Sequence, residues 1–285
     1  DEVTIFNTAL TDVQITALYT AQSAVPVFAN GKVASYSFNG SGFDSTAFGN
    51  HATLTNVKPT TDRFGYGASA YEFNGTSSNI KASNSAQLNS PTTTVSFWVK
   101  VNALPAQGEA FLLSLGGYQE RFKISLPSHG KPVFTTNYAT GISDMDAGDG
   151  NALPIGIWKH VVMTHDALKD KIFIDGVKKA EKVVVGALNS TVLPLGMGFD
   201  PIGNNSFFNG SLDEVQIYNY ALAETDVTAL YAAQAKFPGT VTDIVADYRL
   251  NGDGKDYSQY GNNASGRATG TINRFALGGN ALTFS

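Results

Sequence analysis

The residues that could do chemistry are few, and their spacing excludes most of it. A retaining glycosidase needs two carboxyl groups about 5 Å apart across one cleft. The adjacent pairs Asp1-Glu2 and Asp213-Glu214 do not supply them, because neighbours on a strand point to opposite faces. Ser143 to Asn151 (SDMDAGDGN) carries three aspartates but lacks the distal glutamate of a calcium loop. It reads as a solvated rim loop, with an ion or ligand contact as the alternative. His160 and His165 share one strand at an odd separation and face opposite sides, while His51 and His129 stand in loops far apart. No zinc pattern, phosphate-cradling glycine loop or Ser-His-Asp spacing emerges. Binding asks for less: an aromatic platform and a few polar groups on exposed loops. Trp98, Tyr118, Tyr138, Phe199, Phe207 and Phe208 are the aromatic candidates. Phe207 and Phe208 read as core, and Tyr118 (LGGYQER) and Tyr138 (NYATG) sit beside turn glycines, the best places for an exposed ring.

These side chains must be positioned by strands. Short alternating runs at Val33 to Phe38, Ala70 to Phe73, Thr94 to Val101, Glu120 to Leu126, Lys159 to Thr164, Lys171 to Ile174 and Glu214 to Tyr218 are separated by turn dipeptides. Asn39-Gly40, Asn74-Gly75, Asp175-Gly176 and Asn209-Gly210 are such dipeptides, and each accepts positive φ at low cost. Many short strands at this spacing predict a sandwich. In TVSFWVKV, Val95, Phe97 and Val99 fall on the core face, which places Trp98 on the opposite, accessible face. Helices are expected after each DEV strand. Thr11 to Gln14 forms a capping box ahead of Ile15, Leu18 and Tyr19, and Val227, Leu230 and Tyr231 repeat the spacing. The helix is expected to pack on its own sandwich and to lead into a linker holding Val25-Pro26 or Phe237-Pro238.

The chain also repeats itself. Asp1 to Pro26 matches Asp213 to Pro238 at 14 of 26 positions without a gap. The segment after each copy recurs too: Val33, Tyr36, Asp44, Asn50 and Ala52 meet Val245, Tyr248, Asp256, Asn262 and Ala264. Residues 1–26 therefore read as the end of one module, 27–238 as a complete module, and 239–285 as the start of a third, a window on a tandem array. The net charge of -5 and the sparse lysines and arginines argue against a nucleic-acid partner. Cysteine is absent, so neither disulfides nor thiolate metal sites contribute. No apolar run is long enough to insert in a bilayer.

Four blocks carry a resemblance to a family: TVSFWVKV at Thr94, DRFGYGASAYEFNG at Asp62, WKHVVMTHDALKDKIFIDGVKKA at Trp158, and FNGSLDEVQIYNYALAETDVTALY at Phe208. Together they resemble the laminin-G-like, concanavalin A-like modules common in large bacterial surface proteins, especially of the Bacteroidota. The resemblance implies an all-β jelly roll of two antiparallel sheets, with the Trp158 and Phe173 strands as a central hairpin and a short helix after the last strand. It also implies a structural calcium ion. The matching positions are Asp44 and Asp213, with backbone carbonyls near Asn50 and His51 completing a set of oxygens of the kind calcium takes. The alternative for the same residues is that Asp44 caps a turn and Asp213 ends a strand.

The function expected from these readings is non-catalytic. A repeat module of a secreted or cell-surface adhesin would bind glycans or surface proteins through Trp98, Tyr118 and Tyr138, beside neighbouring modules of the same array. A carbohydrate-binding module of a secreted glycoside hydrolase and a spacer in a surface filament are the alternatives.

Overall fold

The computed structural model describes residues 3–23, 31–65, 67–235, 244–248, 254, 256, 258, 260–265, 268–271 and 281–284. The linker prolines Pro26 and Pro238 lie outside the described residues. In chain order come β1 (Val3–Phe6), α1 (Asp12–Ser23), β2 (Lys32–Tyr36), β3 (Ala52–Thr55), β4 (Lys58–Thr60), β5 (Ala70–Asn74), β6 (Asn79–Ala82), β7 (Thr93–Ala103), β8 (Glu109–Leu115) and α2 (Gly117–Glu120). There follow β9 (Phe122–Pro127), β10 (Val133–Tyr138), β11 (Gly141–Asp146), β12 (Trp158–His165), β13 (Lys169–Ile174), β14 (Val177–Val183), β15 (Leu195–Met197), β16 (Asn209–Tyr218), α3 (Glu224–Ala235), β17 (Ile244–Tyr248), β18 (Ala268–Thr271) and β19 (Ala281–Phe284).

Two antiparallel sheets make the jelly roll. One has seven strands in the order β11-β10-β9-β8-β15-β6-β3, and the other has eight, β14-β13-β12-β7-β16-β5-β4 with β2 beside the far half of β16. Period-two alternation decides what lies between them. Val95, Phe97 and Val99 of β7 and Phe122, Ile124 and Leu126 of β9 point inward and join the core with Phe134, Met163 and Phe208. Each such fully buried side chain contributes about 1.5–3 kcal/mol of transfer free energy. The β12-β13 hairpin forms as expected but sits away from the centre, where β7 and β16 pair along nearly their whole length. Glu120 belongs to the helical turn α2 instead of the following strand.

The chain divides into two compact units, one of Gly31–Asp44 with Phe48–Ala233, the other of Asp1–Asn30, Ser45–Ala47 and Gln234–Ser285. In the larger unit β16 is bulged between Asp213 and Gln216, and Glu214 there adopts φ 48°, a conformation non-glycine residues rarely take. In the smaller unit β1 pairs with β17 and β18 with β19. The capping box of α1 forms as the sequence specifies. The Thr11 N–H donates to Gln14 Oε1 (2.8 Å) and the Gln14 N–H to Thr11 Oγ1 (3.4 Å).

Candidate binding surface

The four positions matched to calcium are engaged in other bonds. The carboxylate of Asp44, fully buried, accepts the Ser35 N–H at Oδ1 (2.9 Å) and the Asn50 N–H at Oδ2 (2.8 Å). The Asn50 carbonyl accepts the Tyr36 hydroxyl (2.6 Å), its side-chain amide donates to the Val33 carbonyl (2.8 Å), and His51 Nδ1 accepts the Asp44 N–H (3.1 Å). Asp213 takes the Arg63 guanidinium at Oδ2 (2.9 Å) and the Glu214 N–H at Oδ1 (2.7 Å). Burial, with the Glu214 carboxylate beside it, pushes Asp213 above the usual carboxylate range, and Arg63 opposes that shift. These residues do not fit a calcium ion, which takes six to eight oxygens. No group of three or more His, Cys, Asp or Glu is placed to hold a metal among the described residues.

The second copy of the loop makes the same point. Asp256 accepts the Asp247 N–H at Oδ1 (2.8 Å) and the Asn262 N–H at Oδ2 (2.7 Å), Tyr248 donates to the Asn262 carbonyl (2.5 Å), and the Asn262 amide reaches the Val245 carbonyl (3.1 Å). Where His51 accepts the Asp44 N–H, Asn263 Oδ1 accepts that of Asp256 (3.0 Å). Two different side chains thus serve one acceptor role. The aspartate gathers backbone donors, and the turn-capping alternative accounts for both loops.

Trp98 does lie on the face opposite the core, but that face is closed. The Arg63 guanidinium stacks on its indole at 4.7 Å, Tyr231 of α3 stacks at 5.9 Å and His160 lies 5.2 Å away. Trp98, 5% exposed, offers no platform to a ligand. Beneath α3 the Ser96 hydroxyl meets His160 Nε2 at 2.9 Å. This hydroxyl-imidazole pair is fully buried and Nδ1 has no hydrogen-bond partner among the described residues, so the pair has neither the access nor the orienting acid that nucleophilic chemistry needs. His165 points the other way, between the sheets. Its Nδ1 meets Asp170 (2.7 Å), its Nε2 the Gly186 carbonyl (3.0 Å), and the Thr136 hydroxyl donates to Asp170 (2.7 Å). The hydroxyl is bonded to the carboxylate and not to the ring, the wrong order for a triad.

Tyr118 and Tyr138 are brought to one end of the seven-stranded sheet. Tyr118, on α2, is 42% exposed, and the adjoining Asn137 amide donates to its carbonyl (3.2 Å). Arg121 anchors this corner by donating to the carbonyls of Asn189 (2.6 Å) and Ser90 (2.5 Å), and burial lowers its guanidinium to about 10. Tyr138 is half-buried and stacks on His165 at 6.4 Å.

Sequence reasoning missed the residues between them. Register sets Ser114, Lys123, Thr135 and Asp144 in one row across β8, β9, β10 and β11, with Phe111, Ser125, Val133 and Asp146 in the next. None belongs to the core between the sheets; they lie on the outer side of the sheet, where Ser114, Lys123, Thr135, Phe111, Ser125 and Val133 are themselves buried and Asp144 is exposed. Lys123 ion-pairs with Glu109, Ser125 donates to Glu109 Oε2 (2.7 Å), and Thr135 donates to Asp144 (2.5 Å). The Lys123 ammonium lies 5.1 Å from the Phe111 ring and 5.4 Å from that of Tyr118. Phe199 and Phe207 stack at 6.1 Å in the segment that runs beside β8, where the Phe111 N–H donates to the Ser206 carbonyl (2.8 Å); Phe208 is core, as expected. The alternation in Phe-Lys-Ile-Ser-Leu held the signal for Lys123 and Ser125, but no local pattern says which strands are neighbours. The nearby acidic loop is tied down, Lys131 bridging Asp146 (2.8 Å) and Asp149 (3.2 Å).

Two antiparallel sheets, one with a polar strip edged by aromatic rings, define a lectin-like jelly roll. Residues 74–228 match the family described as the concanavalin A-like lectin/glucanases superfamily, and the chain belongs to it. No curated protein matches. Among solved structures, the binding domain of Paraclostridial Mosquitocidal Protein 1 is similar at 24% identity and a TM-score of 0.57, over 72% of this chain and 52% of that one. The chain thus spans about half of that domain. Domain 4 of AbnA, an extracellular GH43 arabinanase from Geobacillus stearothermophilus solved with arabinotriose, is similar at 24% identity and a TM-score of 0.56, over 70% of this chain and 98% of that one. The binding domain of botulinum neurotoxin serotype G follows at 20% identity and a TM-score of 0.57, over 72% and 51%. No helix among the described residues is long and apolar enough to cross a membrane.

Proposed function

We propose that this chain is a non-catalytic, carbohydrate-binding module of a secreted or cell-surface protein, and that the outer face of the seven-stranded sheet holds the sugar. The observation that carries the reading is the exposed ring of Tyr118 at the edge of a strip whose accessible members are Glu109 and Asp144, held in place by the buried Ser125 and Thr135 hydroxyls and by Lys123. Sugar hydroxyls exchange hydrogen bonds with such groups while the C–H face of the ring lies on an aromatic. Repetition along an adhesin would turn weak single contacts into avidity. An accessory module of a glycoside hydrolase is the second reading, favoured by the arabinanase domain that is covered over 98% of its length.

Titration calorimetry with arabinotriose, after a survey on a glycan array, tests the surface. Asp144→Ala and Tyr118→Ala, at exposed positions, should each weaken binding by about tenfold or more, one lost charged hydrogen bond or stacked ring being worth about 1.4 kcal/mol or above. Saturable binding that neither substitution alters would move the site elsewhere, and no binding to any glycan would favour a spacer.

A further inference from the structure

A loop divides the outer face of the seven-stranded sheet. Residues 199–206 turn back on themselves, the Asp200 N–H donating to the Asn205 carbonyl (2.9 Å) and the Ile202 N–H to Asp200 Oδ1 (3.0 Å). Two glycines let this loop lie close against its neighbours. A Cβ at Gly196 of β15 would stand 2.8 Å from the Pro201 ring, and one at Gly117 of α2 would stand 3.0 Å from Ile202 Cδ1. Register places Gly196 between Lys81 of β6 and Ser114 of β8. Pro201 is therefore a wall, with Lys81 on one side and the row of Ser114, Lys123, Thr135 and Asp144 on the other. Ile202, 45% exposed, tops that wall against the residue before Tyr118.

On the Tyr118 side of the wall the two signs of charge differ in access. Lys123 is buried against Glu109, and Arg121 is fully buried on two backbone carbonyls. Lys131 is held by Asp146 (2.8 Å) and Asp149 (3.2 Å). Lys182 comes from the opposite sheet to the backbone of the last strand, where it donates to the Asp144 carbonyl (3.0 Å). Between Tyr118 and that edge the accessible charges are carboxylates: Glu120 and Asp144 are exposed and Glu109 is half-buried. A carboxylate accepts hydrogen bonds from hydroxyl groups and repels a second anion, the usual means by which an interface rejects a wrong partner. Given carbohydrate binding at this strip, we propose that it admits neutral sugars and excludes acidic ones. Glu109 and Asp144 accept the hydroxyls, while Tyr118 and Ile202 hold the C–H face of the ring. The wall keeps the exposed ammonium of Lys81 out of the site.

The full chain is applied to an array that carries neutral, uronic, sialylated and sulfated glycans. The tightest ligands should be neutral, with acidic glycans bound at least about tenfold more weakly, a gap that narrows as added salt screens the repulsion. Asp144→Asn removes one repelling charge, and Glu109→Gln removes another and releases that of Lys123. Each should raise the ratio of acidic to neutral binding by about tenfold, whereas damage to the fold would lower both classes alike. Ile202→Ala should weaken the tightest neutral ligand by about fivefold with melting unchanged. Acidic glycans among the tightest ligands, still weakened by Tyr118→Ala, overturn the selectivity and leave the binding face in place. An unchanged ratio in both charge variants overturns it as well. If no glycan of any class binds, the selectivity falls together with the carbohydrate reading.

Discussion

Burial fixes the ionisation of His160. Its ring is enclosed by Trp98, Tyr231 and Ser96, and desolvation, with Arg63 nearby adding repulsion, lowers its pKa to about 3. The unfolded chain binds a proton here near pH 6.5 and the folded chain does not. Folding stability at this site is therefore complete above pH 6.5 and lost as pH falls from there toward 3, at no more than about 1.4 kcal/mol per pH unit. Asp213, with its raised pKa, acts in the opposite sense, so the comparison of interest is between variants. His160→Gln keeps an acceptor for Ser96 and removes the titration. Chemical denaturation between pH 7 and 4 should give a shallower decline in stability for His160→Gln than for the parent; parallel declines would mean that His160 stays protonated in the fold. The same closed environment separates Trp98 from Tyr118. Alternation placed Trp98 on an outer face and the neighbouring glycines placed Tyr118 at an exposed turn; the docking of α3 and Arg63 closes the first of these and leaves Tyr118 exposed.

At the scale of elements, the head of the module is organised by one aspartate. Asp44 gathers β2, the glycine-rich loop and Asn50 through bonds that Asp256 repeats around β17. Hydrogen bonds to a charged acceptor contribute about 1.5–3 kcal/mol each. Asp44→Ala should therefore lower stability by about 3 kcal/mol or more, and thermal unfolding should be the same in calcium and in chelator for both proteins. A calcium-dependent rise in melting temperature that Asp44→Ala abolishes would restore the ion to this loop. Much of this level was legible beforehand. The period of two located β2, β5, β7, β12, β13 and β16 to within a few residues, and the capping box of Thr11 and Gln14 located α1. Strand order and burial of polar side chains were not legible, because they depend on contacts between residues far apart in sequence. Lys123 meets Thr135 and Ser114 only once β9 lies between β10 and β8. Arg63 reaches Asp213 across 150 positions.

For the whole molecule, the two units should differ sharply in stability although their closing strands share sequence and register. β16 is flanked on both sides and sits over a continuous core; β1 belongs to a two-stranded ribbon with exposed apolar side chains. The same residues thus have very different numbers of partners to lose on opening. Local opening free energies run from near zero at sparsely packed ribbons to the global value in core strands. In hydrogen exchange at low protein concentration, the amides of Val3–Phe6 and Ile244–Tyr248 should exchange at least about a thousandfold faster than those of Val95–Val99 and Val215–Tyr218. Equal protection in both units would mean that the β1-β17 ribbon is covered by more than its own two strands.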